Sequence, residues 1–204
     1  MLSFATCVAV AGCTGPDKKN DGPCDVDVVR YDGYATDETC ITLADAENAG
    51  AITQGGANAP VLLTPTNGGV VAATSSSLTI SWDTPLDLDA VDARRMTVPR
   101  TSSVAASMVR SLWPISVAHA HEAPVTGAVH RLRLVGVGGS DNPIDVVTTK
   151  LTYTLDAELE AAVLATGGPI TLELVSMYVT DTLILNAAND GPFAMTPNAI
   201  ITVE

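Results

Sequence analysis

Ser77-Leu78-Thr79-Ile80-Ser81-Trp82, closed by Asp83-Thr84-Pro85, is the stretch that decides the fold. It alternates: Leu78, Ile80 and Trp82 fall on one side of an extended chain, and the hydroxyl residues fall on the other. That is the period of a strand with one buried face. Proline has no N–H to give to a ladder, so Pro85 ends the run. The same grammar recurs outward from it. Val61-Leu62-Leu63 leads into the turn residues Pro65-Thr66-Asn67-Gly68-Gly69. Val129–Val137 puts His130, Leu132 and Leu134 on one face and Arg131 and Arg133 on the other. Asp145-Val146-Val147, Leu151–Leu155, Ile170–Leu174 and Ile200–Val203 complete a set of short strands. One helix is expected between strands, with Asp156 as its N-cap, Leu159, Val163 and Leu164 toward the core, and Gly167-Gly168 as its stop.

Pro60-x-Leu62-Leu63-x-Pro65, the Asn67-Gly68-Gly69 turn and the single inward tryptophan of Leu78–Trp82 resemble the start of a fibronectin type III or related immunoglobulin-like domain. Leu151-Thr152-Tyr153-Thr154-Leu155 resembles that family's fifth strand. The resemblance implies an all-β chain with a single sandwich over residues 60–204, its second and third strands separated by an insertion at 85–126. Without the insertion, that span is about 100 residues, the size of an immunoglobulin-type sandwich. Within the insertion, Thr101–Trp113 reads as a short amphipathic helix. Val104, Met108 and Leu112 form its stripe and Pro114 ends it.

Composition narrows the function. The chain has 204 residues, 47% of them apolar, which excludes wholesale disorder. Ten basic against 23 acidic residues give a net charge of −13. Nucleic acid is therefore not an expected partner, because phosphate contacts need a positive face. No run of 18 apolar residues is present, so no membrane-spanning helix is expected.

The first residues read as an address. Leu2–Gly12 is uncharged and ends in small residues, as the apolar core and cleavage zone of a secretory signal do. Val10-Ala11-Gly12-Cys13 resembles the signal motif of bacterial lipoproteins. The resemblance implies a signal peptide at 1–12, cleavage before Cys13, acylation of Cys13 and anchorage to a membrane of the cell envelope, at the outer membrane or cell surface. Residues 13–59 then read as an acidic tether and linker. With Cys7 leaving in the signal and Cys13 acylated, Cys24 and Cys40 remain, and in an oxidising compartment a disulfide is the economical reading. A metal site at these cysteines is the competing reading, but there is no CxxC spacing and no histidine nearby in sequence. The aspartates Asp21, Asp25, Asp27 and Asp32 do not follow the calcium-loop pattern.

Chemistry-bearing residues are few. His119 and His121, one residue apart, fall on the same side of an extended chain, and His130 starts the strand that follows the insertion. In a sandwich of this kind the three would meet at one tip, with Glu122 as a fourth ligand or a supporting carboxylate. Imidazoles suit copper or zinc, and the thioethers of Met96 and Met108 in the same insertion suit Cu(I). The opposing reading makes His130 a core-rim residue beside Leu132 and Leu134. No nucleophile elbow, P-loop, dinucleotide fingerprint or His-Glu-x-x-His occurs. The expectation is a non-catalytic, lipid-anchored envelope protein that binds or scaffolds an envelope protein partner. Copper or zinc handling is the alternative.

Overall fold

The computed structural model describes residues 24, 29–72, 77–86, 124–140 and 142–204. Its elements are β1 (Val29–Asp32), α1 (Asp37–Asn48), β2 (Thr53–Gln54), β3 (Val61–Thr64), β4 (Val70–Val71), β5 (Thr79–Asp83), β6 (Gly127–Val135), a 3-10 turn (Val137–Gly139), β7 (Ile144–Thr148), β8 (Thr152–Thr154), α2 (Ala157–Leu164), β9 (Pro169–Val179), α3 (Ala187–Asp190), β10 (Phe193–Ala194) and β11 (Ala199–Val203). The chain is mostly β, in two sheets.

β9 organises the larger sheet. Its sequence changes pattern halfway: Ile170, Leu172 and Leu174 alternate with Thr171 and Glu173, after which Val175, Met177 and Val179 make the second face apolar too. A strand written this way must be covered on one side along its first half and on both sides along its second. β6 lies antiparallel along its full length, from Gly127 opposite Val179 to Val135 opposite Thr171. β7 pairs antiparallel with β6, and β1 pairs parallel with β7. The other edge of β9 is shared by β11 over its first half and β10 over its second. The short strands β4 and β2 extend these two in parallel.

The smaller sheet, in the order β3-β5-β8, covers one face. Ile80, Trp82, Tyr153 and Leu155 from it meet Leu132, Leu134, Val146, Ile170, Leu172, Leu174, Ile201 and Val203 from the larger sheet, with Leu159 and Val163 of α2 closing the end. The inward set of β5 and the Leu159/Val163 stripe of α2 stand as their periodicity predicts. Asp156 caps α2 by accepting from the Leu159 amide, and Gly167 at φ +56° ends the turn that follows.

The opposite face carries a second core, and here the tether reading of residues 13–59 is corrected from Val29 onward. Val29 and Leu43 pack with Val129, Val147, Val175, Met177 and Val179. α1 forms because Thr36 caps it, accepting from the Thr39 amide while the Thr39 hydroxyl accepts from the Thr36 amide. Asp37 and Glu38 suit its positive end. Its buried side is thin, Thr39, Cys40 and Leu43. That is why an acidic, small-residue segment reads as solvated.

Cys24 and Cys40 form a disulfide, with Cα atoms 5.8 Å apart. It joins the chain before β1 to the first turn of α1, and both cysteines are buried in the second core. The Tyr31 hydroxyl donates to the Cys24 carbonyl at 2.8 Å. The sequence separation is 16, and closing a loop of that size restricts the unfolded chain by about 3 kcal/mol. A Cys24→Ser/Cys40→Ser double variant should therefore unfold with a stability lower by about 3 kcal/mol in a urea titration. Its far-ultraviolet circular dichroism at zero denaturant should be unchanged.

Candidate functional site

His130 is the one expected site histidine within the described residues. It is the fourth residue of β6, opposite Thr148 on β7 and Ser176 on β9. Paired residues across an antiparallel ladder point to the same face, so all three face the smaller sheet. His130 and Ser176 are fully buried and Trp82 is 1% exposed. Nδ1 of His130 lies 2.8 Å from Oγ of Ser176, and the indole of Trp82 meets the imidazole edge-on at 5.6 Å between ring centroids. Nε2 of His130 and Nε1 of Trp82 are buried with no hydrogen-bond partner among the described residues. Burial pushes the imidazole down to about 4, so it is neutral at neutral pH.

This geometry sets what the group can do. A hydroxyl within 2.8 Å of an imidazole is the spacing of nucleophile and base, yet both side chains are enclosed, so a substrate carbonyl has no approach to Ser176. Of the two readings of His130, a place at one tip of the sandwich is corrected and the one beside Leu132 and Leu134 is favoured: it stands inside the core, beneath Trp82, on the face that continues that apolar row. His119, His121 and Glu122 lie outside the described residues, as does Cys13. Among the described residues no group of three His, Cys, Asp or Glu is placed to hold a metal ion.

The opposite face carries a charged cluster that strand periodicity alone reads as a solvated surface. Arg131, whose side chain is 7% exposed, reaches Glu47 in the last turn of α1 through two contacts, 2.6 Å from Nη1 and 3.2 Å from Nη2. Arg133 forks onto Asp145 at 2.8 and 3.0 Å and adds a 3.4 Å contact to Glu47. Arg133 lies opposite Asp145 on one side and Glu173 on the other, so register alone places it between two carboxylates. The hydrogen bond from Arg131 holds the Glu47 carboxyl below the usual range, against the effect of its burial. The bond to Asp145 raises Arg133 further. A glutamate near a helix C-terminus opposes the helix dipole. Arg131 supplies what the helix end cannot, and the pair fastens α1 to β6. The signal for it is Arg131-x-Arg133 inside an otherwise apolar strand.

Compared with protein-family models, curated protein sequences and solved structures, the chain matches none.

Two outcomes follow from these geometries. Glu47→Gln leaves the buried Arg131 guanidinium short of its anion and should cost about 2 kcal/mol in denaturant unfolding. Adding Arg131→Met should recover most of that loss. For His130, the folded form disfavours the proton (about 4, against an ordinary 6.5). The unfolded chain therefore binds more protons across that window. The stabilising effect of the neutral ring is complete above pH 6.5, declines as pH falls and is gone near pH 4, a change of roughly 3 kcal/mol. Denaturant midpoints of wild type and His130→Gln, compared at pH 7 and pH 4.5, should show the larger acid loss in wild type.

Proposed function

We propose that this chain is a lipid-anchored protein of the bacterial cell envelope and a non-catalytic module that binds or scaffolds a protein partner there. The observation that carries the reading is Val10-Ala11-Gly12-Cys13, preceded by an uncharged apolar run and followed by Thr14-Gly15-Pro16-Asp17-Lys18-Lys19-Asn20-Asp21. The Cys24–Cys40 disulfide supports it, since structural disulfides persist in oxidising compartments.

The same reading takes the two-sheet body as an immunoglobulin or fibronectin type III sandwich. One sheet would be β3-β5-β8 and the other β7-β6-β9-β11, with β4 alongside β11 in parallel. The inward Trp82 on the second strand of the sandwich supports that assignment. β1, α1 and β2 are then additions on the face and edges of the second sheet. The copper or zinc alternative keeps only His119, His121 and Glu122.

Acylation tests the anchor directly. The full chain is expressed in a bacterium fed an alkyne-bearing fatty acid, and membrane and soluble fractions are separated. Wild type should carry the label and sediment with membranes, and Cys13→Ala should lose the label. A wild-type chain that is unlabelled and soluble overturns the proposal.

A further inference from the structure

We propose that the seat of Trp82 on His130 is an acid-sensitive latch, through which mild acid releases the sheet β3-β5-β8 from the larger sheet while the larger sheet and α1 remain folded.

The two faces of the larger sheet are fastened by different physics. α1 is held by the disulfide, by the second core and by the ion pairs of Arg131 and Arg133 with Glu47. Glu47 stays ionised below the usual carboxylate range, so those pairs persist in mild acid. The smaller sheet is held chiefly by apolar packing. Its ladders run β3-β5 and β5-β8, within its own layer. It meets the larger sheet through Leu62, Leu78, Ile80, Trp82, Tyr153 and Leu155. One polar tie reaches it from α2, the Leu78 amide donating to Oε1 of Glu160 at 2.7 Å.

A charge on His130 falls in the middle of that apolar seam. The described neighbours that face it are neutral: Trp82 on β5, Thr148 on β7 and Ser176 on β9. Along the same cross-strand row, Asp32 on β1 lies beyond Thr148, whose hydroxyl donates to it. Asp32 is already engaged by Lys150 at 2.7 Å. Tyr153 on β8 is a neutral phenol whose titration burial displaces upward. Arg131 and Glu47 occupy the opposite face and pair with each other through Nη1 and Nη2. An imidazolium has two N–H donors. Ser176 can accept one, and the proton on Nε2 has no acceptor among the described residues. An unpaired buried charge is costly, so the enclosed imidazole stays neutral and the proton is taken up only in an opened form in which water reaches Nε2. The opening that hydrates Nε2 is displacement of Trp82, which draws β5 away with it.

The test uses the full chain in a Trp113→Phe background, which leaves Trp82 as its one tryptophan. Hydrogen exchange by mass spectrometry is read peptide by peptide from pH 7 to 4.5, corrected for intrinsic rates, alongside tryptophan emission. Protection of β5 and β8 should fall by about tenfold per pH unit below pH 6.5, the dependence of a one-proton opening. Trp82 emission should shift to the red over the same window, while α1 and Val175–Val179 keep their protection. His130→Gln, which is neutral at every pH, should abolish the dependence. His130→Phe serves the same purpose if the amide variant does not fold. Loss of protection in β5 and Val175–Val179 together, or an unchanged pH dependence in the variant that folds, overturns the latch.

Discussion

The ladder between β6 and β9 is the constraint on which everything else rests. Nine consecutive residue pairs, Gly127 with Val179 through Val135 with Thr171, place two strands side by side with both their faces in use. A sheet that is apolar on one face needs one covering layer, and a sheet apolar on both needs two. Val175, Met177 and Val179 create the second demand, and α1 meets it over that half of the strand. Thr171 and Glu173, farther along the same face, need no such cover.

Each covering layer is held in the way its contact residues permit. Under the smaller sheet the surface is largely apolar, with His130, Thr148 and Ser176 as polar members of one cross-strand row, so attachment is chiefly by packing around Trp82. Under α1 the surface combines aliphatic residues with Arg131 and Arg133. A guanidinium buried in that position requires a carboxylate, and the helix end supplies Glu47. Ion pairs of this kind contribute little when solvated and cost much when broken in the interior. The cluster therefore acts more as a specifier of where α1 docks than as a source of net stability.

The neutral histidine follows from the same ladder. Its register puts His130 between Thr148 and Ser176, and neither offers a charge to stabilise an imidazolium. Burial then decides its protonation state. A leucine in this row would pack without such sensitivity. Under the proposed latch, this one residue makes the sheet-to-sheet seam depend on pH.

The sequence by itself determined the elements with a strong local period: β5 with Ile80 and Trp82 inward, β6 with His130, Leu132 and Leu134 on one face, the first half of β9, and α2 with its Asp156 cap. It also contained the cysteine pair that forms the disulfide. These are legible because strand alternation and helix capping depend on neighbours a few residues apart. Only the tertiary structure decided that residues 29–54 belong to the fold, that β9 is covered on both faces, and that Arg131 is a buried partner of Glu47. That partner lies 84 residues away in the chain. Periodicity placed His130 in the apolar row of Leu132 and Leu134 and so allowed a core-rim reading, but it did not say that Trp82 settles on that face and encloses the ring. Which charge meets which, and which imidazole is cut off from water, are set by long-range register, and no local pattern encodes it.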